Sequence, residues 1–256
     1  MIEEQVKSGM VAIVGPPNAG KSTLMNHFLG QKISIVTPKP QTTRNRIAGI
    51  VNEKDYQIVF LDTPGLHKSD EPLNVEMVRV AMESLTDVEL VLFLVDVTKP
   101  LKRDQDVERV EELRGYFSKI SCPAILVLNK VDLIERSKLL PLIEQNSELY
   151  PFQAIIPVSA LKGEGVKILL DEIVRRMPIG PRYFPEDIPT DATERFLCAE
   201  IIREQVFLQT GQEIPYSSAV LIESYKEDTK RKRVTIHAAI VLERKSQKGI
   251  VIGKGG

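Results

Sequence analysis

Gly15-Pro16-Pro17-Asn18-Ala19-Gly20-Lys21-Ser22 is the stretch that decides the fold. It fits GxxxxGK[ST], and Thr23 carries it into an amphipathic run over residues 21–29. A β-branched apolar run over residues 10–14 precedes it. Glycines at 15 and 20 let successive backbone N–H groups turn inward around phosphate oxygens, where a helix N-terminus adds partial positive charge. Lys21 is placed to reach β- and γ-phosphates, and the Ser22 hydroxyl to ligate Mg²⁺. Such a match arises by chance in roughly one chain of this length in a hundred, so an ordinary strand-to-helix turn is the weaker reading.

Working outward, Asp62-Thr63-Pro64-Gly65 ends another apolar run, over residues 57–61. DxxG alone is common; its value is its place, where a carboxylate can hold Mg²⁺ through a water and the Gly65 N–H can meet a γ-phosphate. Asn129-Lys130-Val131-Asp132 follows a third run, 124–128. An Asp carboxylate can accept both N1–H and N2–H of guanine, a pattern adenine cannot supply. Asn129 would brace the base and the phosphate loop, and the Lys130 stem would cover the base. Ser159-Ala160-Leu161, after the run 155–158, would offer backbone N–H groups to guanine O6. In Gln41-Thr42-Thr43-Arg44-Asn45, a Thr can complete the Mg²⁺ shell when the γ-phosphate is present; Thr43 is preferred, with Thr42 open. The ordered set points to GTP and GDP. Lys21, Asn18 and Thr43 are the candidate catalytic residues, and Ser22, Thr43 and Asp62 the candidate metal ligands.

Strand-like runs over 10–14, 57–61, 90–95, 124–128 and 155–158 alternate with helical patterns over 21–29, 74–85, 104–117, 138–149 and 166–176. That alternation predicts a mostly parallel α/β sheet with helices on both faces. Residues 47–51 add an antiparallel edge strand, making six. Four prolines within 177–189 then break the pattern and read as an inter-domain linker. Beyond it lie a helix over 193–209, with Phe196, Ala199, Ile202 and Val206 on one face, and a β-hairpin of 217–224 and 233–242. The expected domains are 1–178, a linker at 179–191, and 192–256.

The 256 residues carry 34 Lys+Arg against 35 Asp+Glu, with 43% hydrophobic residues, which is globular composition. No run approaches a membrane-spanning length, and the acidic N-terminus does not read as a secretory signal. A cytosolic protein is expected. The net charge of −1 conceals nine basic against three acidic residues over 226–256, as for an end that faces a polyanion. His27, His67 and His237 lack metal-ligand spacing; His27 reads as helix surface and His67 as switch loop. Cys122 and Cys198 form no framework and read as buried small hydrophobes.

The phosphate loop, Gln41-Thr42-Thr43-Arg44, Asp62-Thr63-Pro64-Gly65 and Asn129-Lys130-Val131-Asp132 together resemble the translation-factor-related GTPases. Several bacterial groups share them. Phe184-Pro185-Glu186-Asp187, Thr190-Asp191, Arg195-Phe196 and Glu200-Ile201-Ile202-Arg203-Glu204 are similar to the segment joining the two domains of Era-type GTPases. Ile252-Gly253-Lys254-Gly255-Gly256 resembles the IGxxG turn of the KH domain that follows in that family. The resemblance implies a P-loop, Ras-like G domain followed by a smaller α+β type II KH domain, with Gly253, Lys254, Gly255 and Gly256 as the RNA clamp. It implies GTP hydrolysis, binding of the 3′ end of 16S ribosomal RNA, a role in 30S precursor maturation, a monomer, and cytoplasmic location with peripheral inner-membrane association. The family continues past GxxG, so the remainder of the KH fold is expected beyond Gly256.

Leu66 occupies the position where Ras-like GTPases carry a water-orienting Gln. A slow intrinsic rate is therefore expected. Asn18 offers a side-chain carbonyl where K⁺ can stand in for an arginine finger. Two other readings are weighed: a GTPase of tRNA modification or large-subunit assembly, and a GTP-timed regulator docking on membranes or proteins without RNA. The first is opposed by the lack of a second GTPase domain. The second needs a basic amphipathic helix, whereas the basic residues fall on the hairpin.

Overall fold

The computed structural model describes residues 5–66, 72–99 and 107–253. The chain divides into two compact units, residues 1–34 with 43–191, and residues 35–42 with 192–256.

In the first unit, apolar runs too short and too β-branched for helices form the sheet, and the amphipathic stretches between them form its covering helices. In chain order these are β1 (Val6–Val14), α1 (Lys21–Leu29), β2 (Ile47–Asn52), β3 (Tyr56–Asp62), α2 (Pro72–Glu83), β4 (Leu90–Asp96) and α3 (Val107–Phe117). They continue as β5 (Ala124–Asn129), α4 (Leu139–Ser147), β6 (Ala154–Val158), α5 (Val166–Arg176) and β7 (Ile179–Gly180). Residues 104–106, expected to open α3, lie outside the described residues. The sheet order is β2-β3-β1-β4-β5-β6, parallel except at β2, which pairs antiparallel with β3 at the edge. Val11, Ala12, Ile13, Ile125, Leu126 and Val127 have no exposed surface, as strands covered on both faces require.

The order reverses direction at β1: β3 lies on one side of it and β4 on the other. Outside the carboxyl ends of strands at such a reversal, α/β sheets bind ligands. The register brings the motifs to that rim, since Ile13 is level with Asp62, Asp96 with Asn129, and Asn129 with Val158.

The proline-rich stretch departs from the linker expectation. β4 pairs with β1 only from Val11 onward, so Val6 and Lys7 have a free edge, which Ile179 and Gly180 fill as an antiparallel seventh strand. Buried Gln57 then accepts from the Tyr183 and Phe184 N–H groups, at 2.6 and 3.0 Å, and donates to the Phe184 carbonyl. Ile50 N–H donates to the Pro189 carbonyl, and Thr190 Oγ1 to the Ala48 carbonyl. These prolines cannot donate to a ladder, but their neighbours can, and the stretch is bound along the first unit.

The second unit contains α6 (Glu194–Gln209), the hairpin β8 (Ser218–Asp228) and β9 (Arg233–Leu242), and α7 (Lys245–Ile252). Thr193 caps α6 by accepting from the Phe196 N–H. The expected apolar face is only partly right, because Phe196, Ala199 and Ile202 are half-buried while Glu200, Arg203, Glu204, Val206 and Phe207 are buried. Polar groups of that face and of residues 35–42 satisfy one another's backbone. Val36 N–H donates to Glu204 at 2.9 Å, Arg203 donates to the Thr42 carbonyl at 2.6 Å, and Lys39 Nζ donates to the carbonyls of Phe207 and Thr210. β8 runs four residues past its expected end, so the basic tip shrinks to 229–232. Cys122 and Cys198 are half-exposed rather than buried.

Candidate active site

The first turn of α1 starts from Gly20, at φ 99°, and has neither a side-chain cap nor an acidic residue. A Cβ on Gly20 would sit 2.1 Å from Asn129 Nδ2, so this glycine is required by both conformation and space. Asn129 ties two motifs to the loop. Its Nδ2 donates to the Ala19 carbonyl at 2.7 Å, and its Oδ1 accepts from the Ala160 N–H at 2.9 Å. The Ala160 N–H, expected to serve guanine O6, is thus already shared with Asn129. Asn18 has left-handed backbone at φ 61° within the loop.

Lys21 is buried, and its Nζ donates to the carbonyls of Gly15 and Pro16 at 3.0 Å each. Burial lowers its pKa to about 8, with Asp62 opposing that shift. Asp62, fully buried at the end of β3, is pushed upward by the same desolvation. Three hydroxyls converge on its Oδ2: Ser22 at 2.7 Å, Ser34 at 2.8 Å and Thr43 at 3.4 Å. Ser22 and Thr43 lie 3.0 Å apart. Thr42 does not join them, because its hydroxyl is engaged with Thr37 and the Lys39 carbonyl. Of the two threonines, Thr43 is the one whose hydroxyl lies beside Asp62.

These residues fit a magnesium ion. Asp62 Oδ1 is buried without a hydrogen-bond partner, and two hydroxyl oxygens lie beside the same carboxylate. A hard cation that takes oxygen ligands and phosphates, with few protein groups, suits this set. Thr63 hydroxyl donates to the Ile13 carbonyl, which fixes the start of Thr63-Pro64-Gly65 against β1. Leu66 is buried and its N–H donates to the Gly15 carbonyl at 3.0 Å, so it offers no group to orient water.

Beyond the end of β5, Lys130 has left-handed backbone at φ 71° and pairs with Asp96 at 2.5 Å. Asp132 sits in a short 3-10 turn, Val131–Leu133. A hydrogen bond from Ser159, helped by Lys162 at 3.6 Å, holds its carboxyl below the usual range. It is therefore ionised, as an acceptor for two guanine N–H donors must be. Leu161 is mostly exposed at 80%. His27 is exposed on α1. Gly253 ends α7 at φ 77°; Lys254, Gly255, Gly256 and His67 lie outside the described residues.

Residues 10–130 match a family model described as 50S ribosome-binding GTPase, and residues 213–256 match a KH domain model. GTPase Era of Syntrophus aciditrophicus is 50% identical over 252 residues, covering 98% of this chain and 80% of that protein. The chain belongs to the Era family of GTPases. Era of Geobacter metallireducens is 49% identical over 257 residues, covering 100% of this chain and 84% of that protein. A crystal structure of Era in complex with MgGDPNP and nucleotides 1506–1542 of 16S ribosomal RNA superposes with a TM-score of 0.88 at 39% identity, over 97% of this chain and 83% of that one. An Aquifex aeolicus Era variant bound to GDP·AlF4⁻ gives 0.89 at 39% identity, over 98% of this chain and 84% of that one. As an Era-family GTPase the chain binds GTP and hydrolyses it to GDP and phosphate.

The sequence reading missed Ser34, Asp96 and Lys162. None belongs to a spaced motif; each is recruited by register or by a loop crossing.

Lys21 supplies a pH test. Near pH 7 its ammonium is charged with or without nucleotide; above about 8 it is increasingly neutral until a triphosphate restores its proton. Calorimetry in buffers of different ionisation enthalpy will show proton uptake on GTP binding that grows from about pH 7 to about pH 9. Lys21→Arg, whose guanidinium stays charged, lacks that growth; the same growth in this variant would contradict the assignment. For the base, Asp132→Asn should lose GTP affinity by a factor of ~10³–10⁴ and gain xanthosine triphosphate. Unchanged GTP affinity in a filter assay would remove Asp132 from base recognition.

Proposed function

We propose that the chain is a GTP-hydrolysing switch that binds the 3′ end of 16S ribosomal RNA and acts in assembly and maturation of the 30S subunit. The observation that carries the switch is the meeting of Ser22 and Thr43 at Asp62, which joins the phosphate loop, the loop ending at Thr43 and the tip of β3 around one carboxylate. Residues 35–42, just before Thr43, group with α6 and the basic hairpin. RNA binding is supported by the KH match and by the Era complex with 16S RNA. The excess of basic residues over 226–256 suits phosphate contacts.

In this reading residues 1–178 are the GTPase domain, 179–191 the connecting segment and 192–256 the start of the KH domain, with Gly253 to Gly256 as the clamp. Lys21 and residues 15–23, through the N–H groups of all but Pro16 and Pro17, hold the phosphates, Asn129 to Asp132 and Ser159 to Leu161 hold guanine, and Thr63 to Leu66 face the γ-phosphate. Ser22 and Thr43 would hold Mg²⁺ directly, and Asp62 through water. When bound, the ion neutralises charge on the β- and γ-phosphate oxygens. Thr43 reports the γ-phosphate by keeping or losing its place beside Ser22. The protein acts as a monomer in the cytoplasm and associates peripherally with the inner membrane; among the described residues no helix is long and apolar enough to cross a membrane.

Asn18, in the phosphate loop, contributes a carbonyl ligand for K⁺ during hydrolysis. Turnover should rise at least about tenfold when K⁺ replaces Na⁺, and Asn18→Ala should lose the difference; equal rates in both salts would contradict the K⁺ role. The RNA reading is tested by ultraviolet cross-linking in cells. Adducts with the 3′ end of 16S RNA, reduced by charge reversal at Lys230 and Arg231, are expected. Recovery with membranes and no RNA adducts would instead support a docking regulator.

A further inference from the structure

Ser34 and Asn26 lie outside every spaced motif, yet both are built into the carboxylate site. Asn26 sits on α1, one turn after Ser22. Its Oδ1 accepts from the Ile33 and Ser34 N–H groups at 2.9 Å each, and its Nδ2 donates to the Ser34 carbonyl at 2.7 Å. Two of these bonds fix Ser34 itself and the third fixes Ile33 before it; the Ser34 side chain has no exposed surface, and its hydroxyl donates to Asp62 Oδ2 at 2.8 Å. Ser34 is the last residue before the loop 35–42, and Thr43 the first after it.

A carboxylate held at one oxygen has a defined rotation about its Cβ–Cγ bond, and so a defined direction for the other oxygen. The Oδ2 of Asp62 takes all three hydroxyl contacts, while the buried Oδ1 has no hydrogen-bond partner. Metal coordination would draw the Ser22 and Thr43 hydroxyl oxygens to the ion, because each then presents a lone pair to it. Ser34 is the one donor of the three outside the metal set, so its bond to Oδ2 does not depend on where an ion holds the other two hydroxyls. Partners of this kind, one bond removed from a metal, orient its ligands and set its affinity.

We propose that Asn26 and Ser34 are positioning residues that aim the Asp62 carboxylate at the magnesium site, and so set how strongly magnesium retains bound nucleotide. The inference rests on Ser22, Thr43 and Asp62 being the magnesium set.

The test is release of a fluorescent GDP analogue from the 256-residue chain, measured across a magnesium titration and in excess EDTA. In the wild type magnesium slows release strongly. Ser34→Ala should raise the magnesium concentration for half-maximal slowing by roughly tenfold while releasing at the wild-type rate in EDTA. Ser34→Thr, which keeps the hydroxyl, should restore most of the effect, and Asn26→Ala should shift the midpoint the same way. Far-ultraviolet dichroism and nucleotide stoichiometry confirm that each variant is folded. An unmoved midpoint in folded Ser34→Ala, or release accelerated equally in EDTA, would overturn the proposal. Wild-type release that ignores magnesium would instead overturn the metal set on which it rests.

Discussion

A single buried carboxylate organises the nucleotide site. Asp62 has no exposed surface, and desolvation raises its pKa despite hydroxyl donors and the Lys21 charge nearby. A carboxyl raised in the folded state adds stability only while protonated, and that contribution is lost as pH rises through the folded pKa. Desolvation therefore makes the ionised carboxylate costly in the absence of a cation. Lys21 shows the mirror case, a buried ammonium whose pKa is lowered. Both groups are costly where they stand, and both are matched to ligands of opposite charge: a divalent cation for one, a polyphosphate for the other.

Everything around Asp62 supplies rigidity. β3 delivers it level with Ile13 of β1, and the Thr63 hydroxyl bonds the Ile13 carbonyl immediately after. Asn129 ties the loop before α1 to the segment beginning at Ser159, so two motif loops share a brace. In the second unit, α6 spends its buried face on polar partners. Arg203 pairs with Glu200 and donates to the Thr42 carbonyl, and Glu204 accepts from Val36. A buried ion pair of this kind adds little stability by itself. Its effect here is to hold a particular backbone conformation over residues 35–42.

The sheet and the motif loops were legible because they depend on local signals: β-branched runs, a glycine that must be left-handed, and the fixed spacing of Lys21 and Ser22. The limits of α1 and α5 agree with their apolar periodicity. What escaped depends on neighbours distant in sequence. Ile179 and Gly180 form a strand only because β4 leaves the start of β1 uncovered. Glu200, Arg203 and Glu204 look like a solvated helix face until residues 35–42 present carbonyl and N–H groups to them. α7 was hidden because Gly249 interrupts its pattern and its first turn is closed by Gln247, whose Oε1 accepts from the Arg244 N–H, rather than by a Ser or Thr cap. Ser34 carried no signal; only the loop crossing beneath α1 brings its hydroxyl to Asp62.

The most direct measurement is a crystal structure of this chain with Mg²⁺ and a non-hydrolysable GTP analogue. The account predicts the ion at about 2.1 Å from the hydroxyl oxygens of Ser22 and Thr43, with Asp62 Oδ1 reaching it through a water and Oδ2 still bonded to Ser34. A metal held by some other carboxylate, or an Asp62 turned away from both the ion and Ser34, would contradict it.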